Sequence, residues 1–251
     1  RMATRMQRAF KWLEDGKQFT SEVDRRIGAL VRDRIGATYP DHNILSEEFI
    51  TKTTGHDFTW VVDELDGTGP YIRRTTDHHS FCIALCEGKI PIIGVVNAPS
   101  RGECYYAAQE QGAFLVSSSS LKLHILCGNE TEINHVWMGT DPGKQERQSY
   151  IPYLNRAMAD DGMSCFVQSG CASVPLCLVA SGRIEAYFAT QLAPEDMAAA
   201  VVINQEAGCK VTNLKNEEWR LGDRSILTAN PVLHEKLLEL FHTAAPVAPG
   251  S

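Results

Sequence analysis

Trp60-Val61-Val62-Asp63-Glu64-Leu65-Asp66-Gly67-Thr68-Gly69 is the stretch that constrains this chain most. An apolar run that stops at Asp-x-x-Asp and passes at once into small residues reads as a buried strand ending in a turn. Asp63 and Asp66 offer hard anionic oxygens, the ligand type Mg²⁺ prefers, and Gly67 permits a turn whose amides face a phosphate. Thr68 adds a hydroxyl at the same place. Asp-Gly-Thr is also ordinary turn chemistry, so the stretch by itself supports two readings, a metal and phosphate site or a plain strand-ending turn.

The rest of the composition narrows the class. With 251 residues the chain can form one large domain or two packed subdomains with a substantial core. Its 43% hydrophobic and 22% charged content is that of a soluble globular protein. No apolar run approaches the ~18 residues needed to span a bilayer, so no membrane partner is expected. A net charge of −7 argues against a broad nucleic-acid surface and leaves room for a small ligand carried by cations. The N-terminal residues Arg1 to Met6 lack the apolar core of a secretory signal, which makes the cytoplasm the expected location. Cys82, Cys86, Cys104, Cys127, Cys165, Cys171, Cys177 and Cys209 read as reduced and mostly structural, several of them inside apolar segments. Cys82 and Cys86 lack a second pair or a histidine at ligand spacing, which speaks against structural zinc.

Taken in order, the chain predicts a helix from about Thr4 to Leu13 stopped by Gly16, and a second through Ile27, Leu30, Val31 and Ile35 with Asp24 at its start. An acid there is explained by the helix dipole alone. Ile44-Leu45 reads as a short strand with Ser46-Glu47-Glu48 as its polar exit. Segments beginning at Phe81, Pro91, Glu103 and Gly112 predict an antiparallel meander. His78 and His79 precede it, where at most one can face the acids, and both are assigned to the surface or a substrate rim. Ser117 to Ser120 is a low-complexity run suited to a subdomain boundary or an exposed loop.

Beyond it the pattern alternates. Strands are predicted at His135–Met138, Cys165–Val167, Arg183–Phe188, Lys210–Val211 and Ile226–Leu227, with helices at Gln145–Ala159, Ala172–Ala180, Pro194–Ala207 and Pro231–Phe241. The expected division is an α+β half over 1–120 and an α/β half over 121–251, packed as one compact unit. Pro194 puts Asp196 in a first helical turn, again a position that dipole complementation accounts for.

Three acidic motifs in order, Ser-Glu-Glu at 46–48, Trp-Val-Val-Asp-Glu-Leu-Asp-Gly-Thr at 60–68 and Glu-Asp-Met-Ala-Ala-Ala at 195–200, resemble the inositol monophosphatase family. Gly-Val-Val-Asn-Ala-Pro at 94–99 and Leu-Val-Ala-Ser-Gly at 178–182 extend the resemblance over nearly the whole chain. This superfamily of Mg²⁺-dependent, lithium-sensitive phosphatases also includes bisphosphate nucleotidases, histidinol phosphatases and fructose-1,6-bisphosphatases. The resemblance implies a layered α/β/α/β/α fold with two packed sheets, and hydrolysis of a phosphate monoester of a small metabolite. It implies two or three Mg²⁺: one held by Glu47, Asp63 and the Leu65 carbonyl, a second by Asp63, Asp66 and Asp196, and a further, weaker one near Glu47. Thr68 paired with Asp24 would orient or deprotonate the attacking water, and the Gly67 and Thr68 amides would help hold the phosphate. A homodimer is expected on the same ground.

Two departures bear on substrate. Glu64 stands where the family usually has Pro, an extra acid that either disturbs the turn or points into solvent. Ala189 stands where inositol-specific members carry a Glu that bonds substrate hydroxyls, with Gly170, Cys171 and Ala172 at the substrate-contacting helix start. Arg73 and Arg74, on the loop after the central motif, are candidates to meet a second phosphate or are simply solvated.

Overall fold

The computed structural model describes residues 10–12, 19–47, 51–143, 147–159 and 162–242. Strands β1 (Phe10–Trp12) and β2 (Phe19–Ser21) pair antiparallel, with Lys11 opposite Thr20. The helix predicted to reach Leu13 is corrected at Phe10–Trp12, where pairing with β2 replaces helical hydrogen bonds; residues 4–9, Leu13 and Gly16 lie outside the described residues. Helix α1 (Glu22–Thr38) follows, capped by Ser21. The Ser21 hydroxyl accepts from Val23 N at 3.1 Å, while Asp24 accepts from Ser21 N at 2.8 Å, a reciprocal capping box.

Seven strands then form one sheet in chain order: β3 (Asn43–Ser46), β4 (Phe58–Asp66), β5 (Ser80–Glu87), β6 (Ile90–Ala98), β7 (Glu103–Ala108), β8 (Ala113–Ser117) and β9 (Lys122–Ile125). β3 is parallel to β4, and the remainder is the predicted antiparallel meander. A short helix, α2 (Thr68–Arg73), interrupts it after β4. Ser117 to Ser120 forms the exposed turn of the β8–β9 hairpin, where Ser120 N donates to Ser117 O.

The second sheet begins at β10 (Trp137–Asp141) and continues with β11 (Cys165–Val167), β12 (Ala186–Ala189), β13 (Lys210–Thr212) and β14 (Ile226–Ala229), in the spatial order β11-β10-β12-β14-β13. The intervening helices are α3 (Ile151–Ala157), α4 (Ser173–Ala180), α5 (Pro194–Glu206) and α6 (Pro231–His242). The helix predicted over Gln145–Ala159 shrinks to α3 because Pro152, lacking an N–H, is tolerated only in a first turn; a 3-10 turn at Arg147–Ser149 precedes it, and residues 145–146 lie outside the described residues. The strand predicted at His135–Met138 starts later, after a 3-10 turn at Ile133–His135. Likewise Arg183 and Ile184 fold back onto Leu178 O at the end of α4, so β12 starts only at Ala186.

Every residue of α4 is buried, as is α5 from Met197 to Asn204, because these two helices fill the space between the sheets. On the far side of the seven-stranded sheet, Ile35 of α1 packs with Ile44 and Val62. On the far side of the five-stranded sheet, Leu233, Leu237 and Phe241 of α6 pack with Met138 and Phe188. The layers are therefore α/β/α/β/α, as the resemblance implies. Asn204, fully buried, donates to Leu176 O and Ala200 O at 2.9 Å each and accepts from Thr228 Oγ1 at 3.3 Å, tying α4, α5 and β14 together. No described helix is long and apolar enough to cross a membrane.

His234 of α6 is fully buried against β13, and its Nε2 shares a 2.9 Å hydrogen bond with Thr212 Oγ1. Burial, helped by the Lys210 charge, depresses its pKa to about 4. The folded state thus favours neutral His234, and its contribution is complete above the unfolded pKa near 6.5 and lost as pH falls toward 4. Chemical denaturation is expected to show about 3 kcal/mol of pH-dependent stability across that window that is missing in His234→Gln. Parallel pH profiles for the two proteins would remove His234 from this role.

Candidate metal and phosphate site

Strand alternation alone would put Asp63 and Asp66, three residues apart, on opposite faces of β4. A bulge overrides it: Asp63 pairs with Cys82 and Asp66 with Ser80, so three-residue spacing on β4 matches two-residue spacing on β5. Both acids then face inward, toward α4 and α5. β3 ends beside them, with Ser46 in register with Val62, and Glu47 emerges next to Asp63. From across the cleft the first turn of α5 brings Asp196, whose Oδ2 accepts from Ala193 N at 3.2 Å. Glu47, Asp63 and Asp196 each place a carboxylate oxygen within 4.8 Å of the others.

Asp63 is the centre of this group. It is fully buried, its Oδ1 accepts from Leu65 N at 2.9 Å, and among the described residues no group donates to its buried Oδ2. Burial, and then the charges of Glu47, Asp66 and Asp196, push its carboxyl well above the ordinary carboxylate range. A buried anionic oxygen needs a proton or a cation, and an all-oxygen donor set matches a hard divalent ion. The residues present therefore fit Mg²⁺.

Asp66 lines the same cleft but stands outside that tight group. Its Oδ2 accepts from Ala172 N at 2.9 Å, Ser173 N at 2.7 Å, the Ser173 hydroxyl and Cys171 Sγ at 3.0 Å, which fastens the positive end of α4 to β4. Burial pushes the Cys171 thiol up, so it stays protonated and donates. Oδ1 of Asp66 has one longer contact, 3.3 Å from Ala172 N.

Gly67 sits at φ +83°, and a Cβ there would lie 2.7 Å from the His78 carbonyl oxygen. Gly67→Ala is expected to destabilise the protein by about 2 kcal/mol or more, read as a lower denaturation midpoint, because the backbone must move as well as strain. Thr68, the first residue of α2, donates from Oγ1 to Leu65 O at 2.8 Å and lies 3.4 Å from Asp24 Oδ1. Asp24 is thus both a helix-capping acid and a neighbour of the site. Burial raises its pKa first of all, against the Ser21 hydrogen bonds that lower it.

The remaining sequence candidates divide. Leu65, Gly67, Thr68, Gly170, Cys171 and Ala172 line the cleft of about 350 Å³, whereas Ala189 is fully buried in the core and does not. Glu64 does not point into solvent: it is buried on the opposite face of β4, accepting from Ser46 Oγ at 2.6 Å beneath α1. Glu48 lies outside the described residues. The surface assignment of the histidines is corrected as well. His79 is buried, with Nε2 2.8 Å from Ser100 Oγ and Tyr71 edge-on to its ring, and burial and Arg101 lower the pKa of half-buried His78. Arg73 and Arg74 are exposed and do not line the cleft. Its arginines are instead Arg147 and Arg224, joined by Asp141, Gly143 and Gln191, which no local motif in the sequence marks.

The profile of the inositol monophosphatase family matches residues 2–245. A protein of Neisseria meningitidis named putative Nus factor SuhB is 30% identical over 226 residues, covering 88% of this chain and 84% of its own. A histidinol-phosphatase of Mycobacterium tuberculosis is 28% identical over 225 residues, covering 87% and 82%. In fold, the chain matches the crystal structure of the extragenic suppressor protein suhB of Bartonella henselae with a TM-score of 0.85 at 21% identity, over 97% of this chain and 93% of that one. With the family profile matching almost end to end, the chain belongs to the inositol monophosphatase family.

Proposed function

We propose that this protein is a Mg²⁺-dependent phosphate monoester hydrolase acting on a small phosphorylated metabolite, an inositol phosphate or another sugar-type phosphate. The observation that carries this reading is the buried Asp63 Oδ2, without a donor among the described residues, within the group formed with Glu47 and Asp196. Glu47, Asp63, Asp196 and the Leu65 carbonyl would hold the cations, with Asp66 Oδ1 as a further ligand. Cations held there supply positive charge that neutralises the phosphate oxygens and stabilises the departing alkoxide.

The protein's own groups do the rest. The Gly67 and Thr68 amides hold the phosphate in the cleft mouth. Thr68 Oγ1 orients a water against the phosphorus, and Asp24, beside it, takes the proton. A carboxyl whose pKa burial has raised is a stronger base than a solvated one and lies closer to the working range of a general base.

Phosphate release should be measured with inositol 1-phosphate, hexose phosphates, histidinol phosphate and adenosine 3′,5′-bisphosphate, each with Mg²⁺ and with chelator. Release that requires Mg²⁺ and is lost in Asp196→Asn is the expected result. No release from any of these esters would overturn the reading in favour of a protein that binds phosphometabolites without hydrolysing them.

A further inference from the structure

The cleft that holds the acids is also lined by two arginines, Arg147 and Arg224. β10, β12 and β14 run side by side with Asp141, Ala189 and Ile226 in one register row, so the segments following Asp141, following Ala189 and preceding Ile226 leave the same edge of the sheet. These segments touch. Leu192 N donates to Arg224 O at 2.8 Å, and a Cβ on Gly143, which sits at φ +68°, would lie 1.9 Å from Gln191 O. Only glycine lets the two segments approach so closely.

Each segment fixes one arginine. Arg147 donates from Nε to Gly143 O at 3.1 Å, and Arg224 donates from Nε to Gln191 Oε1 at 3.1 Å. Both acceptors are neutral. Asp141, the acid at this edge, accepts from Gly143 N at 2.8 Å, and no ion pair joins either arginine to a carboxylate among the described residues. A guanidinium held through Nε keeps its two terminal nitrogens for an outside acceptor, and that planar fork matches the oxygens of a carboxylate or a phosphate. Two such forks hung from touching backbone segments add positive charge to one part of the cleft wall, which an anion would offset.

Resting on the phosphatase reading above, we propose that Arg147 and Arg224 form a second anion subsite, so that the substrate is a phosphate ester carrying another anionic group, a phosphate or a carboxylate, at the end remote from the bond that breaks. A cleft of about 350 Å³ accommodates a metabolite of roughly six carbons reaching both the acids and the arginines. The ester phosphate goes to the acidic group, where cations offset the acids, and the second anion goes to the arginines.

The test compares three C6 esters that differ only at the remote end: glucitol 6-phosphate, 6-phosphogluconate and glucitol 1,6-bisphosphate. Phosphate release with Mg²⁺ should give a KM about tenfold or more lower for one or both anionic esters than for glucitol 6-phosphate, the value expected of a charge-assisted contact. Preference for the bisphosphate alone identifies a second phosphate, and preference for 6-phosphogluconate identifies a carboxylate. In Arg147→Gln and Arg224→Gln that preference should fall about tenfold or more, with Arg→Lys restoring it only in part because a lysine cannot present the fork. Equal KM values for all three esters, or a preference untouched in both variants, would overturn the subsite.

If none of the three is hydrolysed, thermal denaturation with glucitol 1,6-bisphosphate separates the two ideas. Stabilisation that is lost in the arginine variants keeps the subsite and sinks the phosphatase reading. Absence of any shift rejects the subsite itself.

Discussion

Asp63→Asn is expected to reduce Mg²⁺-dependent phosphate release by ~10³-fold or more and, at the same time, to raise the melting temperature of the chelated protein. Both effects come from one atom. Asparagine keeps an Oδ1 that can accept from Leu65 N, so the turn after β4 retains its 2.9 Å bond. What disappears is an ionisable carboxyl at a fully buried position, facing Glu47, Asp66 and Asp196. In the metal-free protein that carboxyl must hold a proton against the solution pH or carry an unfavourable charge, and removing it should stabilise by about 1 kcal/mol, or some 2–4 °C for a chain of this size. Sign and pH window follow from the raised pKa. Folded Asp63 holds a proton that unfolded Asp63 loses above about 3.8, so metal-free wild type loses stability as pH rises, and the advantage of Asp63→Asn should be larger at pH 8 than at pH 5. Saturating Mg²⁺ should reverse the ranking, because binding at 100 times Kd adds about 2.7 kcal/mol to wild type alone. Melting curves with chelator and with Mg²⁺, run beside the activity assay, check all three. An Asp63→Asn protein stabilised by Mg²⁺ as strongly as wild type would remove Asp63 from the metal site.

The layers and the family were readable in the sequence because they rest on features spread along the chain: alternating patterns that predicted the two sheets, the Pro194 and Asp24 helix starts, and three acidic motifs in order. What could not be read is set by contacts between distant segments. The inward turn of both Asp63 and Asp66 depends on the bulge against β5, and a strict period of two would have separated them. Glu64 looked like an excess charge because its partner Ser46 and its cover, α1, come from elsewhere in the chain. Its burial follows from the same alternation that turns Asp63 inward and Val62 outward. Arg147 and Arg224 lie 77 residues apart in a chain where arginine is common, and only the register of β10, β12 and β14 brings their segments together. Phe10–Trp12 shows the opposite failure, where an amphipathic pattern suited a helix and a three-residue ladder with Phe19–Ser21 took precedence.

Thr68→Ala is expected to lower kcat by about a hundredfold or more while leaving inhibition by inorganic phosphate nearly unchanged. The Thr68 hydroxyl has a single proton, and the structure offers it two acceptors, Leu65 O at 2.8 Å and Asp24 Oδ1 at 3.4 Å. The shorter bond wins while the Leu65 carbonyl has no other partner. A cation held by that carbonyl would weaken it as an acceptor, and the proton would then favour Asp24, leaving the hydroxyl's own lone pairs to face a water in the cleft. Thr68 then acts in the transition state, where the water must be in line, more than in the ground state. Three variants separate this from simple packing. Thr68→Ser keeps the hydroxyl and should retain activity within a few-fold, whereas Thr68→Val keeps the shape and should fall as far as Thr68→Ala. Asp24→Asn should lose a comparable factor, and Thr68→Ala combined with Asp24→Asn should lose little more than either change alone, because the two side chains work as one unit. Multiplying losses in the double variant would show that Asp24 serves only the capping box with Ser21 and not the reaction.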